Sequence, residues 1–170
     1  HYLTALALAY AATDDESVKS QMKSRLDYML GVMKDCQDAY ADSNNGMKGF
    51  IGGQPINQIW TGLYSGNLSP FKQYGGWVPF YCTHKILAGL RDAWIYTDSE
   101  VARDLFKGLC DWSVTLISNL SDNQMQEVLG WEHGGMNETL VDAYRLLGDA
   151  KYLQAAKRYS HTYEINGMQG

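Results

Sequence analysis

The sequence predicts an all-α fold, and three observations carry the prediction. One pattern recurs three times, in ALAYAATDDESVKSQMKSRLDYML, GLRDAWIYTDSEVARDLFKGLCDW and TLVDAYRLLGDAKYLQAAKRYSH: a helix, a short polar turn and a second helix. Each copy has an alanine followed by an aromatic residue (Ala9 and Tyr10, Ala93 and Trp94, Ala143 and Tyr144). An acidic turn able to cap the next helix then follows (Asp14 and Asp15, Asp98, Asp149). The second observation is a single apolar stripe on the later helix of a pair. The third is an earlier helix that is apolar on most sides. Inner helices packed all round and outer helices with one wet face, joined by short turns, predict an α/α toroid. Three pairs make about half of an (α/α)6 barrel.

The elements follow in order. HYLTALALAYAA is apolar almost all round, as an inner helix requires. Its outer partner carries Val18, Met22, Leu26, Met29 and Met33 at steps of three or four. A long segment at about 40–77 then interrupts the repeat, with Phe50, Trp60, Tyr64, Phe71 and Tyr74 set among many glycines. It is too aromatic for a disordered linker and too long for an ordinary connection. Rings among glycines suit the mixed apolar and hydroxyl surface of a sugar, with Gly52, Gly53 and Trp77 as candidate contacts; equally, they can pack the loop onto the barrel. The second pair has HKILAGLRDAW inside and Val101, Leu105, Leu109, Trp112 and Leu116 outside. In the third, the inner helix is expected to start at about Asn137. Residues 1–170 read as one partial barrel domain. Opening at His1 within a helical pattern, the chain is expected to be a piece of a longer catalytic domain. Its apolar barrel edges would be open to a homodimer.

A formal net charge of −5 and a pI near 5.2 exclude the basic surface that nucleic acid requires. The longest apolar stretch, LTALALAYAA, is too short to span a membrane. Cys36, Cys82 and Cys110 are widely spaced, which sets neither a disulfide framework nor a zinc finger.

Chemistry concentrates at the starts of the inner helices. His1, His84 and His133 each stand at or near such a start, and the N-terminal ends of parallel inner helices gather on one face of a toroid. Three imidazoles are therefore expected around one pit, with Glu132 turned toward it. The glycines at 134 and 135 would relax the chain there. His161, on an outer helix, serves as the internal control and is expected to pack or face solvent. Three imidazoles and a carboxylate would suffice for zinc, but the sequence leaves their separation open and assigns no metal. Glu132 with Glu138 would make a two-carboxylate glycosidase pair only at a suitable separation. Glu138 and Asp142, one turn apart, read as capping or solvated groups. Cys82, near His84, reads as packing rather than as an activated thiol.

Several of these stretches together resemble a known family. HYLTALALAYAAT, KGFIGG, GGWVPFYCTHKILAGLRDAW, LSDNQMQEVLGWEHGGMNETLVDAYRLLGD and YLQAAKRYSH run in the order found in the N-terminal part of the bacterial β-L-arabinofuranosidases, glycoside hydrolase family 127 and its relatives. EHGGMNE and WVPFYCTHKILAGL are the specific pieces. Where relatives commonly have Trp-Tyr-Thr-Leu, this chain has Phe80, Tyr81, Cys82 and Thr83. The resemblance implies an (α/α)6 catalytic barrel followed by β-sandwich domains, removing L-arabinofuranose from plant-type glycans with retention. It implies sugar-contacting roles for His84 and His133. It also implies a cysteine nucleophile, a zinc ion held by cysteines and a glutamate, and an acid/base glutamate, all further along the family's chain. No catalytic residue and no cofactor is thus expected within these residues, with zinc expected in the full-length parent, and a secreted or periplasmic location would follow from the substrate alone. Two other readings remain at this point: a different toroid sugar enzyme, such as an epimerase or unsaturated-uronide hydrolase, and a non-catalytic helical-repeat binding module.

Overall fold

The computed structural model describes residues 1–53, 57–74, 78–132 and 135–167, with the side chains of Asn57, Tyr163 and Glu164 excepted. Among these the regular structure is entirely helical: α1 (Tyr2–Ala12), α2 (Glu16–Asp38), α3 (Asn57–Tyr64), α4 (Ser69–Tyr74), α5 (Pro79–Thr97), α6 (Glu100–Leu116), α7 (Asp122–Trp131), α8 (Met136–Leu147), α9 (Ala150–Arg158) and α10 (Thr162–Gly167). The repeat read from the sequence corresponds to the hairpins α1–α2, α5–α6 and α8–α9.

Local chemistry sets the helix starts. Asp15 accepts from the Ser17 and Val18 amides at the head of α2, and Asp149 accepts from the Lys151 amide at the head of α9. In the middle hairpin the expected acidic cap is replaced. Asp98 takes a left-handed conformation at the end of α5, and Ser99 caps α6 by accepting from the Ala102 amide. A short hydroxyl does this work as well as a carboxylate. Ser121 and Gln124 form a reciprocal capping box on α7.

The hairpins pack in two layers. In the inner layer α1 lies on α5 and α5 on α8; in the outer layer α2 lies on α6 and α6 on α9. Contacts advance together along neighbours. His1 meets Tyr81 while Leu3 meets Gly89, and His84 meets Glu138 while Arg91 meets Asp142. The three inner helices therefore run the same way. Gly89 permits the α1–α5 approach, since a Cβ there would stand 2.8 Å from the Leu3 Cβ.

α5 is the inner helix that matches its expected burial, with Phe80, Thr83, His84, Leu87, Leu90, Asp92 and Ala93 all enclosed. α1 differs: Leu3, Leu6 and Ala7 are buried, but Tyr2 and Leu8 are exposed, since among the described residues α5 is the inner helix packed on it. The outer stripe of α6 is buried at Leu105, Leu109, Trp112 and Leu116, while Val101 at its first turn is exposed. On α2, Leu26 and Leu30 are buried, Met22, Met29 and Met33 are half-buried, and Val18 is exposed.

Of the two readings of the segment at 40–77, its described rings follow the packing one: it contains α3 and α4, with Phe50, Trp60 and Phe71 buried and Tyr64 and Tyr74 half-buried against the core. Phe50, Trp60 and Phe71 are each no more than 2% exposed. Trp60 stacks edge-on against Trp112 of α6 with centroids 5.1 Å apart and lies 5.5 Å from the Phe80 ring at the head of α5; Phe71 also lies 5.5 Å from Phe80. Fully burying such large apolar faces is favourable by more than any solvent-facing role would return. These rings are core, which removes Phe50, Trp60 and Phe71 as sugar platforms.

Candidate functional site

The site is built around the first two turns of α5. Val78, a β-branched residue, precedes the helix at φ +43°, a left-handed conformation that only a well-tied structure sustains. Pro79 then occupies the first helical position, where its missing N–H is no loss. Val78 provides no side-chain cap. The cap comes instead from Glu132, at the end of α7. Its Oε2 accepts the Phe80 N–H at 3.1 Å and its Oε1 accepts the Tyr81 N–H at 2.8 Å. A buried carboxylate on the free amides of a helix start satisfies orphan donors and meets the positive end of the dipole. Glu132, expected to face the pit, has both oxygens on backbone amides and is 7% exposed.

The residues flanking the capped amides divide between core and surface. Phe80 enters the aromatic core, whereas Tyr81 is exposed and its hydroxyl lies 3.1 Å from Nε2 of His1. His1 and Tyr81 thus connect the starts of α1 and α5.

One turn further, His84 is buried, and its Nε2 lies 3.2 Å from Oε2 of Glu138 in the first turn of α8. Gly135 lies against the face of the ring, over Cε1 and its two flanking nitrogens. It adopts φ +72°, and a Cβ there would stand 2.9 Å from Cε1 and 3.0 Å from Nδ1 of His84. The glycine therefore has two physical reasons: a left-handed backbone and an imidazole in the space a side chain would fill. Burial, and then the neighbouring Lys85, pull the His84 pKa below its ordinary value, while Glu138 opposes them. The net direction is down, so the ring is neutral at neutral pH.

Two turns beyond His84 on the same face, Arg91 reaches the same carboxylates. Its Nη1 lies 3.4 Å from Oε1 of Glu138 and donates to Oδ2 of Asp142, while Nε and Nη2 donate to Oδ1 of Asp92 at 3.0 and 2.9 Å. Burial alone would lower the Arg91 pKa, but the bonds to Asp142 and Asp92 outweigh it and hold the guanidinium charged.

The expected site residues separate accordingly. His84, Glu132 and the start of α8 meet at one end of the inner layer, and His1 joins them through Tyr81. His133 and Trp77 lie outside the described residues, as does Gly134. Gly52 and Gly53 are exposed; a Cβ on Gly52 would strike the buried Phe50 ring, and Gly53 faces open space. No hydrogen bond ties either glycine to His84 among the described residues. His161 lies half-buried between α9 and α10 rather than on an outer helix. Glu138, Arg91 and Asp142 are the residues that sequence reasoning undervalued. Their signal was present: seven residues from His84 to Arg91 and four from Glu138 to Asp142 place each pair on one helical face.

Several clefts flank the outer layer, two of them beside residues already named. One of about 340 Å³ lies between α8 and α9, lined by Glu138, Asp142, Lys157 and Ser160 among others. A larger one, about 520 Å³, lies between α2, the following loop and α6, lined by Gln37, Tyr64 and Asp111. The larger cleft has no histidine in its wall.

The cysteines do not form a reactive or metal-holding group. Cys36 is exposed on α2, Cys110 is buried in α6, and Cys82 on α5 has its thiol pKa raised by burial and then by Glu132. A raised pKa opposes thiolate formation. Among the described residues no three His, Cys, Asp or Glu side chains are placed to hold a metal ion. The donors described do not form the cysteine-and-glutamate set that the resemblance implies for zinc. No described helix is long and apolar enough to cross a membrane.

No curated protein matches the chain. The family model of the β-L-arabinofuranosidase GH127 catalytic domain matches residues 1–167, nearly the whole sequence, and the chain belongs to that family of glycoside hydrolases.

Proposed function

We propose that these residues form one side of the sugar pit in an (α/α)6 barrel that releases L-arabinofuranose from plant-type glycans with retention of configuration. The observation that carries the reading is the gathering of His1, Tyr81, His84 and Glu138 at the N-terminal ends of parallel inner helices. A furanose presents several hydroxyls on a small apolar ring, and fixed donors and acceptors on rigid helices suit it. His133, next to Glu132 in sequence, would join the same wall.

The residues present bind rather than react. A retaining glycosidase needs a nucleophile and an acid/base group. Glu132 is engaged by the head of α5, Glu138 faces His84 and Arg91, and the Cys82 thiol is disfavoured as a thiolate. The 170-residue chain is therefore expected to bind the sugar without turning it over. Titration of ¹⁵N-labelled chain with methyl β-L-arabinofuranoside should shift the resonances of Tyr81, His84 and Gly135, and His84→Ala should abolish the response. Shifts confined to other regions, or unchanged affinity in His84→Ala, would remove the pit from this end of the inner layer. Release of nitrophenol from an aryl L-arabinofuranoside by the chain would instead reveal a nucleophile among these residues.

A further inference from the structure

We propose that Glu138 is a positioning residue that fixes the His84 imidazole as its Nε2–H tautomer, leaving Nδ1 as a hydrogen-bond acceptor. An ionised carboxylate only accepts hydrogen bonds, so an imidazole nitrogen facing it must carry the hydrogen. That nitrogen is Nε2, 3.2 Å from Oε2 of Glu138. In a neutral ring the other nitrogen is then a bare acceptor. Among the described residues Nδ1 has no hydrogen-bond partner, although the ring is only 6% exposed. Gly135 packs on the ring face, where a Cβ would stand 2.9 Å from Cε1, 3.0 Å from Nδ1 and 3.3 Å from Nε2.

Glu138 is mostly exposed, and an unsupported carboxylate there would sample several rotamers. Arg91 supplies the support. Its Nη1 faces Oε1 of Glu138, the oxygen that does not face His84, and the guanidinium is itself held by Asp142 and Asp92. The order is therefore Asp142 and Asp92 to Arg91, Arg91 to Glu138, and Glu138 to His84. A ligand hydroxyl meeting the ring there would donate to Nδ1 rather than accept from it, a clause that rests on the sugar-binding reading above; the tautomer does not.

Long-range ¹H–¹⁵N correlation of the imidazole nitrogens, at about pH 7.5 where an ordinary histidine is neutral, reads the tautomer directly. The unaltered chain should show a protonated Nε2 and a bare Nδ1, with the tautomer ratio favouring Nε2–H by roughly tenfold, as a hydrogen bond to a charged group supports. Glu138→Ala should lower the ratio toward that of an unpartnered histidine, and Glu138→Gln, whose amide oxygen accepts the same hydrogen, should recover most of the bias. Glu138→Ala alters an exposed side chain, and circular dichroism checks its fold. An Nδ1–H imidazole in the unaltered chain, or an unchanged ratio in Glu138→Ala, overturns the proposal. Added methyl β-L-arabinofuranoside should move the Nδ1 resonance most. If the sugar causes no shift while the tautomer follows Glu138, the sugar-binding reading fails and the positioning role stands.

Discussion

Two glycine-rich stretches of this molecule, the segment at 40–77 and the junction from Gly130 to Gly135, look alike in composition and are opposite in use. In the first, Phe50, Trp60 and Phe71 turn inward and join a core that also holds Trp112 and Phe80. In the second, the chain brings Glu132 to the head of α5 and Gly135 against an imidazole. Rings beside glycines do not distinguish a ligand platform from a core, because burial rewards an apolar ring whatever surrounds it. An ionisable ring gains no such reward. Its burial requires partners, and the partners mark the site.

The comparison is broken most forcefully at Trp60. If the segment is core, Trp60→Ala should destabilise the chain by about 3–5 kcal/mol in denaturant unfolding; unchanged stability with weakened sugar binding would restore the platform. Gly135→Ala should follow, at about 1–2 kcal/mol for a left-handed backbone, with a displaced His84 resonance marking the encroached ring. Removing the remote cap with Glu132→Ala should cost about 0.5–2 kcal/mol, and amide exchange should quicken at Phe80 and Tyr81 before it does elsewhere in α5. A smaller effect is expected from pH. The folded His84 resists protonation, so the unfolded chain takes up its proton first, near the ordinary value of 6.5. The contribution to stability is whole above that pH and falls away as the pH drops through it toward the lowered folded value. Comparing unfolding midpoints of the unaltered chain and His84→Gln across this range should show a steeper fall with decreasing pH in the former. Gly53→Ala, in open space on the other stretch, should change stability by less than about 0.5 kcal/mol.

Much of the helical scaffold was legible, since periodicity is a property of each helix alone. The stripe of Leu105, Leu109, Trp112 and Leu116 needs only the helical repeat to be read. The placement of His84 at an inner helix start was legible for the same reason. What sequence could not provide was partnership between distant residues. Glu132 was visible as a carboxylate near a histidine, yet its engagement with the Phe80 and Tyr81 amides depends on how α7 ends beside α5. Glu138 and Asp142 read as solvated groups because nothing local reveals that Arg91 faces them. α3 and α4 were hidden because they are short and lie between glycines, and it is the burial of Ile59, Trp60, Leu63 and Phe71 that holds them.

The head of α5 is completed by a residue 52 positions later in the chain. Its first turn has no side-chain cap of its own, so the second hairpin cannot reach its final form before α7 has been laid down and has delivered Glu132. Assembly of adjacent repeats is in this way made interdependent at one hydrogen-bonded joint, and a lesion at the entrance to the third hairpin is felt first as fraying in the second.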